Sequence, residues 1–266
     1  MSTDGVRINH HREGSGPPLV LLHGVGLSWQ INRPVIGMLA RDFDVIACDS
    51  PGFGGSPPLA VGVEPTIDAY ADRFAEFFAE LGLERPHVSG NSMGGGIGLE
   101  LARRGAVRSV CAISPVGFWT AAERRFSQLS LGALAGMPRA LRPALIAVSG
   151  TRAGRNALFW QTFGRPTRMP AEEPPRILRN AWDSPALAPA LAAFSSYAFA
   201  EPEQLDGAIG LTIAWGVHDR LLLYRTQAPR ARTMLPRARH LSLGAGHVPF
   251  FDDPPAVAEA IRSSAV

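Results

Sequence analysis

Gly90-Asn91-Ser92-Met93-Gly94 fits the pattern G-x-S-x-G. A pentapeptide of this kind carries weight only in context. Here a short apolar run (HVS) precedes it and a glycine-rich helical run follows at once. Glycines two before and two after the serine permit a sharp, strained turn that lifts the hydroxyl above the edge of a sheet. A serine hydroxyl is a poor nucleophile at neutral pH, so it needs a base, and the base needs an orienting acid.

Seven histidines compete for the role of base. His247 lies in the loop GAGHVPF after the last run that reads as a strand, where it can reach a serine at the carboxyl ends of parallel strands. His23 ends the first such run inside His23-Gly24-Val25-Gly26 and reads as a structural hydrogen-bonding residue. His87 precedes its strand, at the opposite edge from the chemistry. His10-His11 resembles a metal pair, but no third ligand accompanies it at useful spacing, so a solvated hairpin is expected and no metal site is assigned. For the acid, Asp219 follows LTIAWG in the loop GVHDR, again at a carboxyl end. Asp183 and Asp206 also fall between serine and histidine, but both belong to an inserted lobe or its boundary. The assignment is therefore Ser92, Asp219 and His247. A tetrahedral intermediate also needs donors for its oxyanion, and the backbone N–H groups of Met93 and Val25 are the candidates.

The elements that must position these residues alternate. Residues 18–22 (PLVLL), 45–48 (VIAC), 87–89 (HVS) and 107–113 are short and nearly all apolar, as expected for strands covered on both faces. Between the second and third, Ile67, Tyr70, Phe74, Phe77, Phe78 and Leu81 recur at helical spacing, with Thr66 as N-cap and Gly82 as stop. Such alternation predicts a parallel α/β sheet. It breaks after Ser114-Pro115 and resumes at 211–215 (LTIAW), followed by a helix near 226–235, a strand at 240–243 and a last helix at 254–261. The stretch between, about 117–206, carries nine prolines among its helical runs, which predicts several short helices joined by proline turns. Its aromatic residues either pack the lobe's own core or line an apolar pocket. Trp119 and Trp160, with Trp29 beside the oxyanion loop and Val248 beside the histidine, are the pocket candidates.

With 266 residues, the chain has the length of one large domain or one domain with an inserted lobe, at roughly 150 residues per domain. Hydrophobic residues at 46% against 18% charged exclude intrinsic disorder. All 26 basic residues are arginine, which excludes every mechanism that needs a side-chain amine, Schiff bases and P-loop phosphate binding among them. No dense basic run with interleaved aromatics points to nucleic acid. The segment 117–206 is mildly positive, with 10 arginines against 7 acidic residues. That balance reads as a solvated arginine face, or as help in binding an anionic acid. Cys48 and Cys111 sit inside apolar runs and read as buried thiols in a reduced compartment. The first residues lack the apolar region of a secretory signal, and no uninterrupted apolar run is long enough to span a bilayer. A cytoplasmic protein with a small-molecule substrate and neither nucleic acid nor membrane partner is expected; monomer and homodimer both remain open.

Five motifs together, HGVG at 23–26, DSPGFGGS at 49–56, GNSMGG at 90–95, WGVHD at 215–219 and GAGHVPFFDDP at 244–254, resemble the α/β-hydrolase fold family. The order Ser92, Asp219, His247 is the family's order. The resemblance implies a mostly parallel eight-stranded sheet with helices on both sides (1–116 and 207–266), an inserted all-helical cap (117–206) over the active site, and no cofactor. It also implies a structural turn at Asp49-Ser50-Pro51-Gly52. One departure is visible: many relatives place a proline shortly after the acid, whereas Arg220-Leu221-Leu222-Leu223 follows here. A serine nucleophile argues against the dehalogenases and epoxide hydrolases of this fold, which use aspartate. What remains is an ester or thioester hydrolase for a small to medium apolar acyl compound, a lactonase, a cofactor-free haloperoxidase or a C–C bond hydrolase of ring-cleavage products. A lyase or cyclase and a slowly turning ligand receptor use the same scaffold. The loop HGVGLS and Val248 after the histidine differ from the usual C–C hydrolase pattern, which favours the ester hydrolase.

Overall fold

Parallel strands buried on both faces need apolar residues at successive positions, and the short apolar runs supply them. The computed structural model describes residues 7–205 and 209–265. One sheet holds β1 (His10–Gly14), β2 (Pro18–Leu22), β3 (Asp44–Cys48), β4 (His87–Asn91), β5 (Ser109–Ile113), β6 (Gly210–Gly216) and β7 (Arg239–Leu243). Their spatial order is β1-β3-β2-β4-β5-β6-β7, with β1 antiparallel to β3 and every other neighbouring pair parallel. The expected eight strands are thus seven among the described residues. The expected hairpin at His10-His11 is also corrected: these residues start an edge strand that pairs with β3 rather than with the adjacent β2.

Alternate residues along a strand feed opposite layers. Val20 and Leu22 join a core with Tyr70, Phe74 and Phe78, whereas Leu19 and Leu21 join another with Val35, Leu39, Val257 and Ile261. In chain order the first helices are α1 (Arg33–Leu39), α2 (Ile67–Glu80) and α3 (Met93–Arg103). Thr66 caps α2 by accepting the Ala69 N–H at 3.0 Å, and Gly82 follows its end at a φ of +66°. Between β5 and β6 come α4 (Ala121–Ala135), α5 (Arg142–Ser149), α6 (Arg152–Phe159), α7 (Glu173–Asp183) and α8 (Leu187–Ala193), with no strand among the described residues. Proline sits in the first turn of α5 and of α7, where its missing N–H costs nothing, so the prolines of this segment mark helix starts. Asp206 lies outside the described residues. Last come α9 (Tyr224–Met234) and α10 (Pro254–Arg262). Helices α2, α3 and α9 pack on one face of the sheet, α1 and α10 on the other.

Both cysteines are free and fully buried, and burial pushes their thiols up, that of Cys111 to about 12. Neither supplies a thiolate at neutral pH. Among the described residues no single helix is long and apolar enough to cross a membrane.

Candidate active site

Each candidate residue lies just past the carboxyl end of a parallel strand: His23 to Val25 after β2, Ser92 after β4, Asp219 after β6 and His247 after β7. Parallel pairing in register brings these ends to one edge of the sheet, where Asn91 on β4 stands opposite Ile113 and Gly216 on β6 opposite Leu243.

Ser92 joins β4 directly to α3, with φ at +57° and ψ at −115°. This is a conformation that side-chain-bearing residues rarely adopt, and the surroundings hold it there. The Ser92 N–H donates to the Ile113 carbonyl at 2.9 Å, while its own carbonyl accepts from Gly96 at 3.0 Å and Val116 at 3.2 Å. The flanking glycines answer to sterics: a Cβ on Gly90 would lie 2.0 Å from the Gly94 carbonyl oxygen, and one on Gly94 would lie 2.5 Å from that of Leu22. Met93 is the first residue of α3, so its N–H has no acceptor within the helix. Val25, in the loop after β2, lies in the wall of the cavity that Ser92 also lines.

The His247 Nδ1 lies 2.8 Å from Asp219 Oδ2, and both side chains are buried. The second carboxylate oxygen of Asp219 accepts the N–H groups of Leu221 at 2.9 Å and Leu222 at 2.8 Å. A carboxylate can only accept, so the contact assigns the proton to Nδ1 of His247 and leaves Nε2 with the lone pair. His23 behaves differently. It is fully buried, its Nδ1 lies 2.7 Å from the Gly24 carbonyl, and its Nε2 accepts the Ser50 N–H at 2.9 Å. Burial lowers its pKa, which keeps it neutral and structural. His87 bonds Ser109 at 2.8 Å at the far end of β4. Asp49 fixes its turn by accepting from Asn9, Trp29 and Gly55.

A cavity of about 170 Å³ opens beside Ser92 and His247. Leu131, Leu134, Leu145, Phe159, Phe163 and Trp182 of the inserted helices and their connections make up much of its wall, together with Val25, Leu27 and Val248. Asn91, Ser130, Gln161 and Thr162 supply the remaining polar groups, and no acidic side chain or arginine lines it among the described residues. Of the four pocket candidates, Val248 lies in this wall. Trp119 does not; its indole N–H donates to Tyr197, and its ring lines a narrow adjoining space of about 20 Å³ that also touches Ser92. Trp29 and Trp160 are corrections. The Trp29 ring stacks on His11 at 4.7 Å, away from the cavity, and Trp160 is exposed beneath the Arg220 guanidinium. In their place stand Phe159, Phe163 and Trp182. The spacing Leu178-Ala181-Trp182 along α7 carried that signal, since these residues share one helix face.

Two anchors behind the histidine were not singled out from sequence. Asn91 donates its side-chain amide to the carbonyls of His247 at 2.8 Å and Ile113 at 3.1 Å. Asp252 is fully buried and accepts three backbone N–H groups, from Gly246 and Gly164 at 2.7 Å and from Arg165 at 2.8 Å. It ties the histidine loop to the inserted segment, and Arg168 adds a bond to its carbonyl. Asp252→Asn turns one acceptor oxygen into a donor that faces N–H groups. It is therefore expected to cost about 3 kcal/mol of stability, read from the urea midpoint. An unchanged midpoint would show that those N–H groups find other partners.

The decisive comparison is with a family model for the alpha/beta hydrolase fold, which matches residues 17–254. The chain belongs to that family. Among its relatives, the dihydrolipoyllysine-residue acetyltransferase component of the acetoin cleaving system of Cupriavidus necator is 38% identical over 131 residues, covering 47% of this chain and 34% of that protein. An uncharacterized protein of Mycobacterium tuberculosis is 30% identical over 256 residues, 91% of this alpha/beta hydrolase and 73% of its relative. The 2-hydroxymuconate semialdehyde hydrolase of a Pseudomonas species is 39% identical over 103 residues, 38% of this chain and 36% of the other. The matches thus span about a third of the length of the first and third of these relatives. A solved esterase structure from Thermogutta terrifontis superposes with a TM-score of 0.75 at 20% identity, over all of this chain and 97% of the other, which shows the shared fold.

Proposed function

We propose that the protein is a serine hydrolase that cleaves a carboxylic ester or thioester of a small to medium apolar acyl compound through an acyl-enzyme. The observation that carries this reading is the buried Asp219–His247 pair, whose histidine lines the same cavity wall as Ser92 on its strained turn. Ser92 Oγ attacks the acyl carbonyl carbon while His247 Nε2 takes its proton. Asp219 holds the imidazole in the tautomer with Nδ1–H and stabilises the imidazolium. The N–H groups of Val25 and Met93 receive the developing oxyanion. The imidazolium then protonates the departing alcohol or thiol. Water, activated by the same histidine, releases the acid and frees the serine.

The cavity wall supports the apolar acyl group. A carboxylate on the acyl part would be desolvated there with no arginine to meet it. The relationship to 2-hydroxymuconate semialdehyde hydrolase favours a second reading, C–C cleavage of a ring-cleavage product, whose carboxylate this wall does not match. A panel of p-nitrophenyl esters of increasing chain length, acyl thioesters, lactones and ring-cleavage products separates the two. Turnover of the neutral esters, with labelling of the Ser92 peptide by a fluorophosphonate, is expected. Faster turnover of the ring-cleavage products than of every ester would overturn the ester reading, and absence of labelling would overturn the acyl-enzyme.

A further inference from the structure

Helices of a water-soluble lobe turn their polar side outward. In the inserted segment α4 and α5 do not. On α4, Ala122, Phe126, Leu129 and Ala133 follow one another at three- and four-residue spacing, and all four are exposed. The exposed residues of α5 are Pro143, Ala144, Ala147 and Val148, with Leu141 exposed just before it. Of the nine large hydrophobic side chains that stand exposed on the described surface, six lie between Phe126 and Trp160, each between 39% and 65% accessible. Scattered apolar residues are ordinary on a surface, but this concentration of six in one helical segment is not a scatter.

The charge of the same stretch is one-sided. From Arg124 to Ala171 there are eight arginines and no acidic residue. Arg125, Arg139 and Arg152 are exposed beside the apolar residues just named. Guanidinium groups match phosphate oxygens two at a time, and an apolar face fringed by them fits the boundary between lipid headgroups and acyl chains. Geometry argues for lying on that boundary rather than crossing it. Residues 121–135 and 139–149 together have the length and apolar composition of a membrane span, but they bend by 72° between them.

We propose that the outward face of α4 to α6 docks onto an anionic lipid surface. Phe126, Leu129, Leu141 and Val148 enter the interface, and Arg125, Arg139 and Arg152 meet the headgroup phosphates. The patch continues into the active-site cavity, because Leu158 is both exposed and part of the cavity wall. An apolar acyl substrate dissolved in the lipid therefore has a short path to Ser92, a consequence that rests on the hydrolase reading above; the docking itself does not.

The test is co-sedimentation of the whole protein, as wild type and as Ser92→Ala, with vesicles of phosphatidylcholine alone or with about one third phosphatidylglycerol. Both proteins are expected to sediment with the anionic vesicles at low salt and to be released as salt rises. The triple variant Phe126→Ser, Leu141→Ser, Val148→Ser and the triple variant Arg125→Gln, Arg139→Gln, Arg152→Gln should each lose about tenfold in bound fraction. Both should keep wild-type circular dichroism and wild-type turnover of a water-soluble short ester. Failure of the wild type to sediment, equal binding to the neutral vesicles, or full binding by either triple variant would overturn the proposal. So would a concentration-dependent dimer that the serine variant abolishes, since the patch would then belong to a second copy of the chain. Because binding is read without catalysis, loss of docking is distinguishable from failure of the hydrolase reading.

Discussion

Ser92→Ala is expected to lower kcat on a short-chain p-nitrophenyl ester by about 10⁵- to 10⁶-fold and to abolish fluorophosphonate labelling, with the fold intact. The size follows from the loss of the covalent route. The remaining cavity and oxyanion donors still bind the ester, but water must attack without a positioned nucleophile. Alanine keeps the Cβ and with it the strained backbone at φ +57°, so stability should barely change. Ser92→Gly separates the two roles of the position. Glycine adopts this conformation without steric cost, and the strain relieved exceeds the extra chain entropy it brings. The glycine variant should be more stable than wild type by about 1 kcal/mol, and equally inactive. A kcat within tenfold of wild type for either variant would remove Ser92 from the chemistry. A glycine variant with a lowered melting midpoint would remove the strain.

The positions of Ser92, Asp219 and His247 at one edge of the sheet could be read from the chain because each follows a strand whose apolar run is easily seen and is marked off by glycine. HVSG, LTIAWG and LSLGAGH announce both the strand and the place where it ends. Parallel pairing does the rest, since it collects carboxyl ends at one edge whatever lies between them in sequence. The capped helix at 67–80 was equally legible, because its greasy face and its threonine cap are local properties.

What escaped the sequence depends on contacts made across the fold. The edge strand β1, HHREG, carries no apolar run, because an edge strand half open to water has no second layer to satisfy. Helix α1 is only seven residues long and owes its position to α10, which lies at the other end of the chain. Val107 reads as part of a strand because it continues an apolar run, yet it packs in the core from the loop before β5. Trp182 apart, the aromatic residues of the inserted segment give no sign in the sequence of which face the cavity. Trp160 and Phe159 are adjacent, so about 100° of helix rotation sends one to solvent and the other to the wall. Asp252 lies within the motif GAGHVPFFDDP, but its burial against three N–H groups needs the inserted segment to be in place.

Asp219→Asn is expected to lower kcat by about 10⁴-fold while the shape of the site is kept. Both oxygens of Asp219 are committed: Oδ2 to His247 Nδ1 and Oδ1 to the N–H groups of Leu221 and Leu222. An asparagine has one oxygen and one NH₂ to distribute between these partners. Placing NH₂ toward the two backbone donors would oppose donor to donor in a buried site, so the oxygen stays there and NH₂ turns to the imidazole. His247 Nδ1 must then accept, which moves its proton to Nε2. Nε2 becomes a donor and can no longer take the proton of the Ser92 hydroxyl. Fluorophosphonate labelling should slow in parallel with ester turnover, because both need that proton removed. The urea midpoint should fall by far less than for Asp252→Asn, since the two backbone bonds survive. If Asp219→Asn turns over ester within tenfold of wild type, another group orients the histidine, and the pairing at 2.8 Å is structural.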